Sequence, residues 1–539
     1  METKSPNDDH CNSRLTEEIK ELTVPSYPTP GRLTIIALTC SISGFLSGLD
    51  QTILATAIPQ ITNDFHTLNG IAWWTSSYLL TSATFQLVYG RCNTLFPVKF
   101  VYMSANALFA LGSLICTVAP NSVALIAGRA IAGVGVAGIM SGNVLIIAAS
   151  APLARRASLT GMMFAFLGLA SLVGPFIGGV LTDRATWRWC FGINLPISAM
   201  VIASTALFVN TPLPPRAQTM TLSEKIRHFN VPGTALLTLS FFCLIFALQR
   251  GASDSWRDHA VIALLVLFVV LFAAFGLWTY MSGQGIEPPL RYRDVWFTSI
   301  YAGCVSGGMF VPITYMPVWF QAVIGASAIR SGVMITPLIA AFVAMSIISG
   351  VTTEHVSYYN PAMLLGVVLS AVGGGLMATL KPLATQSMWV GYQMLYGFGA
   401  GAGVPPPMLV IQTVLPEEDI PMGVAIVSLS QMLWSAVVVA IAQPIFEGEL
   451  KSALRHKLPG INIETQINAG ARELAKTYPP EQLETVISAY SDAIVKVFHI
   501  TVALSCVAFP CALLIRWKSM TSKTDAATPG EQESEKVRP

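Results

Sequence analysis

The sequence predicts an all-α membrane protein that crosses the bilayer about fourteen times. Two observations predict it. Only 11% of the 539 residues are charged while 53% are hydrophobic, whereas a soluble domain carries roughly 25% charged residues. The apolar residues also fall into repeated runs of about 20, the length that spans a hydrocarbon core of roughly 30 Å as a helix. A formal charge of +2 is too small to hold a polyanion, which argues against nucleic acid as a partner.

The elements follow in order along the chain. Residues 1–31 carry Asp8, Asp9, Glu17, Glu18, Glu21 and four prolines but no apolar core, so no cleavable signal peptide is expected. This segment reads as a disordered cytosolic N-terminus, and the first apolar run must itself direct insertion. Six spans come next, at 33–58, 71–89, 98–118, 123–148, 158–181 and 190–209. Two more lie at 231–248 and 260–281, followed by six at 296–320, 331–351, 361–380, 388–415, 422–446 and 492–515. An even number of crossings returns both termini to one side. With the N-terminus inside, the short inner loops hold nine cations (Arg91, Lys99, Arg155, Arg156, Arg216, Lys225, Arg227, Arg291, Arg293) and the short outer loops hold six (Arg184, Arg188, Arg250, Arg257, Arg330, Lys381). Lys and Arg are retained in the cytosol, so both ends are expected there. Residues 447–491 form the one long loop, on the outer side. Within it Pro480 opens an amphipathic helix, with Leu483, Val486, Ile487 and Tyr490 on one face, that reads either as a cap on the outer mouth or as a gate. The tail 517–539, rich in Glu, Lys, Thr and Pro, reads as disordered and cytosolic.

Ionisable groups at membrane depth are costly, so one inside a span is a functional candidate. Asp50 lies eight residues before the end of the first span and Arg129 six residues into the fourth, depths of roughly 12 Å and 9 Å from the same side. Two such side chains can meet or share an aqueous cavity. Burial favours the neutral acid and a nearby guanidinium favours the carboxylate, so a cavity that opens and closes would make Asp50 take up a proton on one side and release it on the other. The same pair could instead be a static tie that fixes helix register.

Glycines supply the moving parts in this reading. Span five carries Gly161 and then Gly174, Pro175, Gly178 and Gly179, a small face with a missing backbone donor that suits a kinked, rocking helix. Gly133, Gly135 and Gly138 in span four imitate a dinucleotide fingerprint, but they follow no strand and precede no acid at the required distance. Gly138 and Gly142 are better read as a packing face. Gly397, Gly399, Gly401 and Gly403, followed by Pro405, Pro406 and Pro407, predict a flexible, broken span twelve of the kind that lines a central cavity. The candidates for contact with an amphiphilic cargo are Tyr78, Phe85, Gln86, Tyr301, Tyr315, Gln321, Gln393, Gln412 and Gln431, with Trp319 and Phe320 beside them.

Other functions fit less well. Seven scattered histidines without HExxH or HxxxD argue against a membrane-embedded enzyme, and no catalytic residue is assigned. No GxxxxGK[ST] is present, so ATP is not the energy source. Seven of nine cysteines lie in or beside apolar runs without CxxC or zinc spacing, so they read as packing residues and no metal site or cofactor is expected. A receptor remains a third option, although hinge glycines in several helices suit an alternating cavity better.

The residues Leu49-Asp50-Gln51-Thr52-Ile53 through Ala57-Ile58-Pro59, Arg129 with Gly133 and Gly135, Gly161 with Gly174-Pro175 and Gly178-Gly179, and Trp187-Arg188-Trp189-Cys190-Phe191 to Asn194-Leu195-Pro196 resemble the motifs of the fourteen-span drug:proton antiporters of the major facilitator superfamily. In flavour the chain is similar to the fungal branch that exports toxins and secondary metabolites. The resemblance implies a major facilitator fold of two six-helix bundles, 32–210 and 296–516, joined by a linker, 211–295, that carries two extra spans. It implies alternating access with the proton gradient driving export, Asp50 as the proton-responsive acid, Arg129 as its partner, and Gly174, Pro175, Gly178 and Gly179 as the antiporter hinge. The expected partners are a small molecule, protons and the lipid bilayer, and the expected state is a monomeric multi-pass protein of the plasma membrane or, alternatively, of the vacuole or another internal membrane. Uptake or exchange of a siderophore or other metal chelate is the alternative transport reading. The chain departs from the pattern at Thr94 and Leu95, where an acid and a base are usual, at Ala132 and Ala170, and at Trp434 and Ser435, where glycines are common.

Overall fold

The computed structural model describes residues 27–65, 71–211, 220–221, 224, 230–253, 256–281, 288–457 and 480–520. The expectations for 1–26, for 521–539, for the middle of the long loop and for Arg216, Lys225 and Arg227 fall outside them. Fourteen long helices carry the described chain: α1 (Pro30–Phe65), α2 (Ile71–Leu95), α3 (Val98–Thr117), α4 (Ser122–Ser150), α5 (Leu153–Arg184), α6 (Trp189–Phe208), α7 (Val231–Ser253) and α8 (His259–Met281). The second set is α9 (Arg293–Val323), α10 (Arg330–Val356), α11 (Asn360–Met377), α12 (Gln386–Val414), α13 (Ile420–Lys457) and α14 (Pro480–Leu514).

Thirteen of these are long and apolar enough to cross a membrane. The remaining one, α2, contains Thr75, Ser76, Ser77, Thr81, Ser82, Thr84 and Gln86. Its polarity is tolerated because hydroxyls fold back on their own helix: Thr81 donates to the Ser77 carbonyl at 2.9 Å and Thr84 to Leu80 at 2.6 Å. The helix is also clasped between α4 and α13.

Helices α1 to α6 pack on one another, and so do α9 to α14. The two groups meet along α5 with α10 and along α2 with α13. Small residues make both seams. A Cβ on Gly161 would lie 3.1 Å from the Gly350 Cα, and one on Gly168 would lie 2.7 Å from the Phe342 ring. A Cβ on Gly90 would come within 2.6 Å of the Ala425 Cβ. The first and last described residues lie at one face of the bundle: Tyr27 interacts with Arg156, and Met520 packs beside Leu153 and Ala157. Here this is called the terminal face. Helix α7 covers the α2–α13 seam through Leu237 and Phe241, while α8 is exposed along most of its apolar surface and packs chiefly on α7.

Several boundaries differ from the sequence reading. Helix α1 continues to Phe65, so Asp50 sits further from its end than the hydropathy run suggests. The loop expected from 447 is helical as far as Lys457, and the segment expected to be a separate amphipathic helix is the first part of α14. The reason is mutual burial: Leu450 and Leu454 pack against Val486, Ala489, Tyr490 and Ala493 with Ala322 beneath them. The apolar face of 480–490 therefore meets another helix in an upright hairpin instead of lying on a mouth. Span twelve does break, between Gly403 and Pro406, as its prolines require. Its glycines are not flexible, however. Gly399 abuts Ser370 and Gly366 of α11, Gly401 abuts Phe342 and Met345 of α10, and Gly403 abuts the Tyr301 hydroxyl, so they let three helices approach closely.

Candidate functional site: a buried ion pair

Asp50 and Arg129 meet. The Arg129 Nη1 donates to Asp50 Oδ2 at 2.5 Å, with side-chain exposures of 1% and 1%. Two ions this deep are stable only when their remaining hydrogen-bonding capacity is met, and the fold meets much of it. The Arg129 Nε donates to the Trp74 carbonyl at 2.9 Å. The guanidinium lies over the Tyr78 ring at 4.2 Å and nearer the edge of reach of Phe191 at 5.8 Å. The other carboxylate oxygen, Asp50 Oδ1, accepts from Asn194 Nδ2 at 2.8 Å. The same nitrogen lies 3.2 Å from Ser113 Oγ.

Five helices therefore build the site. Helix α1 brings Asp50, α2 brings Trp74 and Tyr78, α3 brings Ser113, α4 brings Arg129, and α6 brings Phe191 and Asn194. Glycines set the spacing, since Gly133, one turn beyond Arg129, lies directly against the Tyr78 backbone and Gly135 against Ala105 and Phe109. Tyr78 is fixed in turn by its hydroxyl, which donates to the Ser47 carbonyl at 3.2 Å. Toward the face opposite the termini, Asp64 accepts from Trp187 Nε1 at 2.7 Å and pairs with Arg188 at 3.3 Å.

The sequence reasoning found Asp50 and Arg129 but gave no role to Trp74, Ser113, Phe191 or Asn194. Asn194 was visible only as the first residue of Asn-Leu-Pro at the head of a span. Its contact with a residue 144 positions away is a tertiary fact.

Two of the residues expected to form a hinge, Gly174 and Gly178, sit against the same helix that carries Asp50. Gly174 faces Thr52, and a Cβ on Gly178 would lie 2.8 Å from the Ile53 carbonyl oxygen. Gly179 has nothing within 4 Å of its added Cβ, so it is not a contact of this face. Helix α5 remains continuous through Pro175.

The cargo candidates do not converge. Tyr78 belongs to the ion-pair cage. Phe85 lines a groove of about 500 Å³ with Tyr89, Phe96 and Phe100 on the outside of α2, α3 and α4. Tyr301 donates to the Met363 carbonyl at 3.0 Å, Tyr315 to Gln443 at 3.2 Å, Gln321 to Ser331 at 3.0 Å, and Gln393 to the Met334 and Trp389 carbonyls. Trp319 donates to Ser491 at 3.2 Å. Gln86 and Gln412 are buried with both amide atoms unpartnered, and Gln431 has an unpartnered nitrogen. Gln393, although its nitrogen is engaged, has an unpartnered oxygen, so these four are the candidates with hydrogen-bonding capacity to spare. Among the described residues no group of three His, Cys, Asp or Glu side chains is placed to hold a metal ion, and all eight described cysteines are free thiols.

The family model of the Major Facilitator Superfamily matches residues 40–439, a stretch that contains the whole cage. The chain belongs to the Major Facilitator Superfamily. This facilitator is 42% identical to the thioclapurine efflux transporter tcpA of Claviceps purpurea over 498 residues, 92% of each chain. It is 40% identical to the efflux pump bfoC of Aspergillus brasiliensis, covering 91% of this chain and 88% of that one. Among solved structures, the proton:xylose symporter XylE with bound 6-bromo-6-deoxy-D-glucose matches with a TM-score of 0.60 at 14% identity, over 92% of this chain and 98% of that one. That likeness speaks for the fold: an all-α, multi-pass facilitator.

Proposed function

We propose that this facilitator exports a hydrophobic or amphiphilic small molecule, of the toxin, drug or secondary-metabolite class, in exchange for protons at the plasma membrane. The observation that carries the proposal is the Asp50–Arg129 pair, sealed from solvent between helices of one group yet touching none of the described cations and acids outside it. A carboxylate held by a single guanidinium and one amide can exchange its proton only when the helices part, which ties protonation to conformation. One elementary charge crossing about 100 mV supplies about 2.3 kcal/mol toward the work of export. The efflux names of the relatives support the direction of transport, and the seams at α5–α10 and α2–α13 supply the surfaces across which two rigid halves rock. No cofactor beyond the proton gradient enters this scheme, and a monomer suffices for it.

Export is tested in cells with and without the protein, using a fluorescent amphiphile as probe. Expression should lower the internal level, and collapse of the proton gradient should restore it. A higher internal level in expressing cells would instead indicate uptake.

A further inference from the structure

The Asn194 amide touches two groups that can each reverse their role in a hydrogen bond. Asp50 Oδ1 accepts when ionised and donates when protonated; Ser113 Oγ does either by rotating its hydroxyl. Because a carboxylate cannot donate, the amide atom 2.8 Å from Asp50 must be the nitrogen. Its oxygen is buried with no partner, so nothing on the far side of the amide holds its orientation. The Cβ–Cγ torsion of an asparagine is broad and roughly two-fold, so a half-turn exchanges the two amide atoms without moving the backbone.

We propose that Asn194 is a positioning residue that reads the protonation state of Asp50 by reversing its side-chain amide. With Asp50 ionised, Nδ2 donates to the carboxylate and to Ser113. When a proton arrives on Oδ1, the amide turns: its oxygen accepts from the new Asp50 O–H and from the Ser113 hydroxyl, and Arg129 keeps its bond to the Trp74 carbonyl. The charged and titratable groups around this point are Arg129 from α4, Tyr78 from α2, Cys116 from α3 and Cys190 from α6. None of them offers an amide that can both give and take. Asn194 heads the long segment of α6, so the reversal reports the proton to a helix other than the one that binds it. This inference rests on the proton-coupling reading above.

Infrared difference spectra of the full-length protein in lipid, taken between acidic and neutral pH, test it. The expected result is an Asp50 carboxylic-acid band, absent in Asp50→Asn, that appears together with displacement of one asparagine amide band, absent in Asn194→Leu. Asn194→Ala serves the same purpose should the leucine variant fold poorly, and isotope-labelled asparagine identifies the band in the unmodified chain. An amide band that stays still while Asp50 protonates overturns this inference alone. Absence of any Asp50 band at every pH removes both the inference and the coupling reading. Proton-driven transport by Asn194→Leu should fall about tenfold, the scale of one hydrogen bond to a charged group.

A second, independent observation concerns the chain after α14. Asn360 Nδ2 donates to the Ile515 carbonyl at 3.1 Å and Tyr359 to the Arg516 carbonyl at 2.6 Å. The Arg516 amide donates to Asp294 at 3.1 Å while its Nε pairs with the same carboxylate at 3.4 Å, and the Met520 amide donates to the Ser357 carbonyl at 3.0 Å. Burial first, and the Asp294 carboxylate second, push the Tyr359 phenol up to about 12, which keeps it a donor. So anchored on α9, α10 and α11, the segment delivers the Met520 side chain into a cluster with Leu153 and Ala157 of α5 and Leu409 of α12.

We infer that residues 515–520 form a strap whose Met520 plug holds the terminal-face seam closed and must withdraw for that face to open. Hydrogen–deuterium exchange of the full chain tests it without any substrate. Met520→Ala should exchange several-fold faster than wild type in the first turns of α5 and the last turns of α10, while Met520→Leu, which keeps an apolar plug, should not. Equal exchange in Met520→Ala and wild type at both segments overturns the strap. Met520→Cys with Ala157→Cys provides a second arm, since a reducible cross-link should form in the closed state; failure to cross-link under oxidation also overturns it.

Discussion

At the scale of single residues, the cage around Arg129 decides what each substitution removes. Asp50→Asn keeps the shape and the Asn194 contact but removes the titrating group. Normal expression with proton-driven transport at background is the expected outcome, read in reconstituted vesicles. Arg129→Ala leaves a buried carboxylate without its counter-ion, a loss of about 3–5 kcal/mol in comparable buried pairs. It should be inactive and should unfold at a clearly lower temperature than wild type. Arg129→Lys keeps the charge but cannot reach both Asp50 and the Trp74 carbonyl with a planar fork, so partial activity is expected. Two neighbouring glycines give a matched control. Gly178→Leu drives a side chain into the Ile53 backbone and should cost about 1–3 kcal/mol as overpacking, whereas Gly179→Leu enters open space and should leave thermal stability near wild type.

Among the elements, α9 and α13 show how a departure from a family pattern is absorbed. Trp434 stands where a small residue is common, and the compensation is on the opposing helix. A Cβ on Gly303 would fall 2.5 Å from the Trp434 Cγ and one on Gly307 would fall 3.1 Å from the Trp434 carbonyl oxygen. Gly303 and Gly307 on α9 thus leave the room that Trp434 fills. Trp434→Ala should therefore open a void costing about 3 kcal/mol, and Gly303→Leu in the same chain should recover part of the lost thermal stability. The hairpin of α13 and α14 is governed by the same logic of paired faces. Placing a charge at Leu454 (Leu454→Asp) leaves the carboxylate against Val486 and Tyr490, and added protease should then cut between α13 and α14 faster than in wild type.

For the whole molecule, function depends on seams that are tight enough to close and smooth enough to part. Glycine and alanine supply that smoothness: backbone meets backbone at Gly161 and Gly350, Gly168 gives the Phe342 ring a flat seat, and Gly90 meets the small Ala425. Gly161→Leu should keep the fold of each half, seen as an unchanged helical signal, while abolishing transport because the terminal face can no longer seal. The strap at Met520 and the cage at Asp50 lie far apart along α5 and α1, so their effects should be separable: exchange at the seam responds to Met520, and infrared signatures respond to Asn194.

The sequence by itself determined that this is a helical membrane protein of about fourteen spans, because length and apolar composition suffice to decide what a bilayer accepts. It also singled out Asp50 and Arg129, since a charge inside an apolar run stands out whatever surrounds it. Three things needed the tertiary structure. The partners of the pair, Trp74, Ser113, Phe191 and Asn194, are ordinary residues until helices distant in sequence bring them together. The helical hairpin beyond Phe446 exists because two amphipathic faces bury each other, and a hydropathy run cannot register a partner outside itself. The glycines of α12 read as flexible in one dimension, and they are rigid because the backbones of α10 and α11 and the Tyr301 side chain of α9 occupy the space where side chains would be.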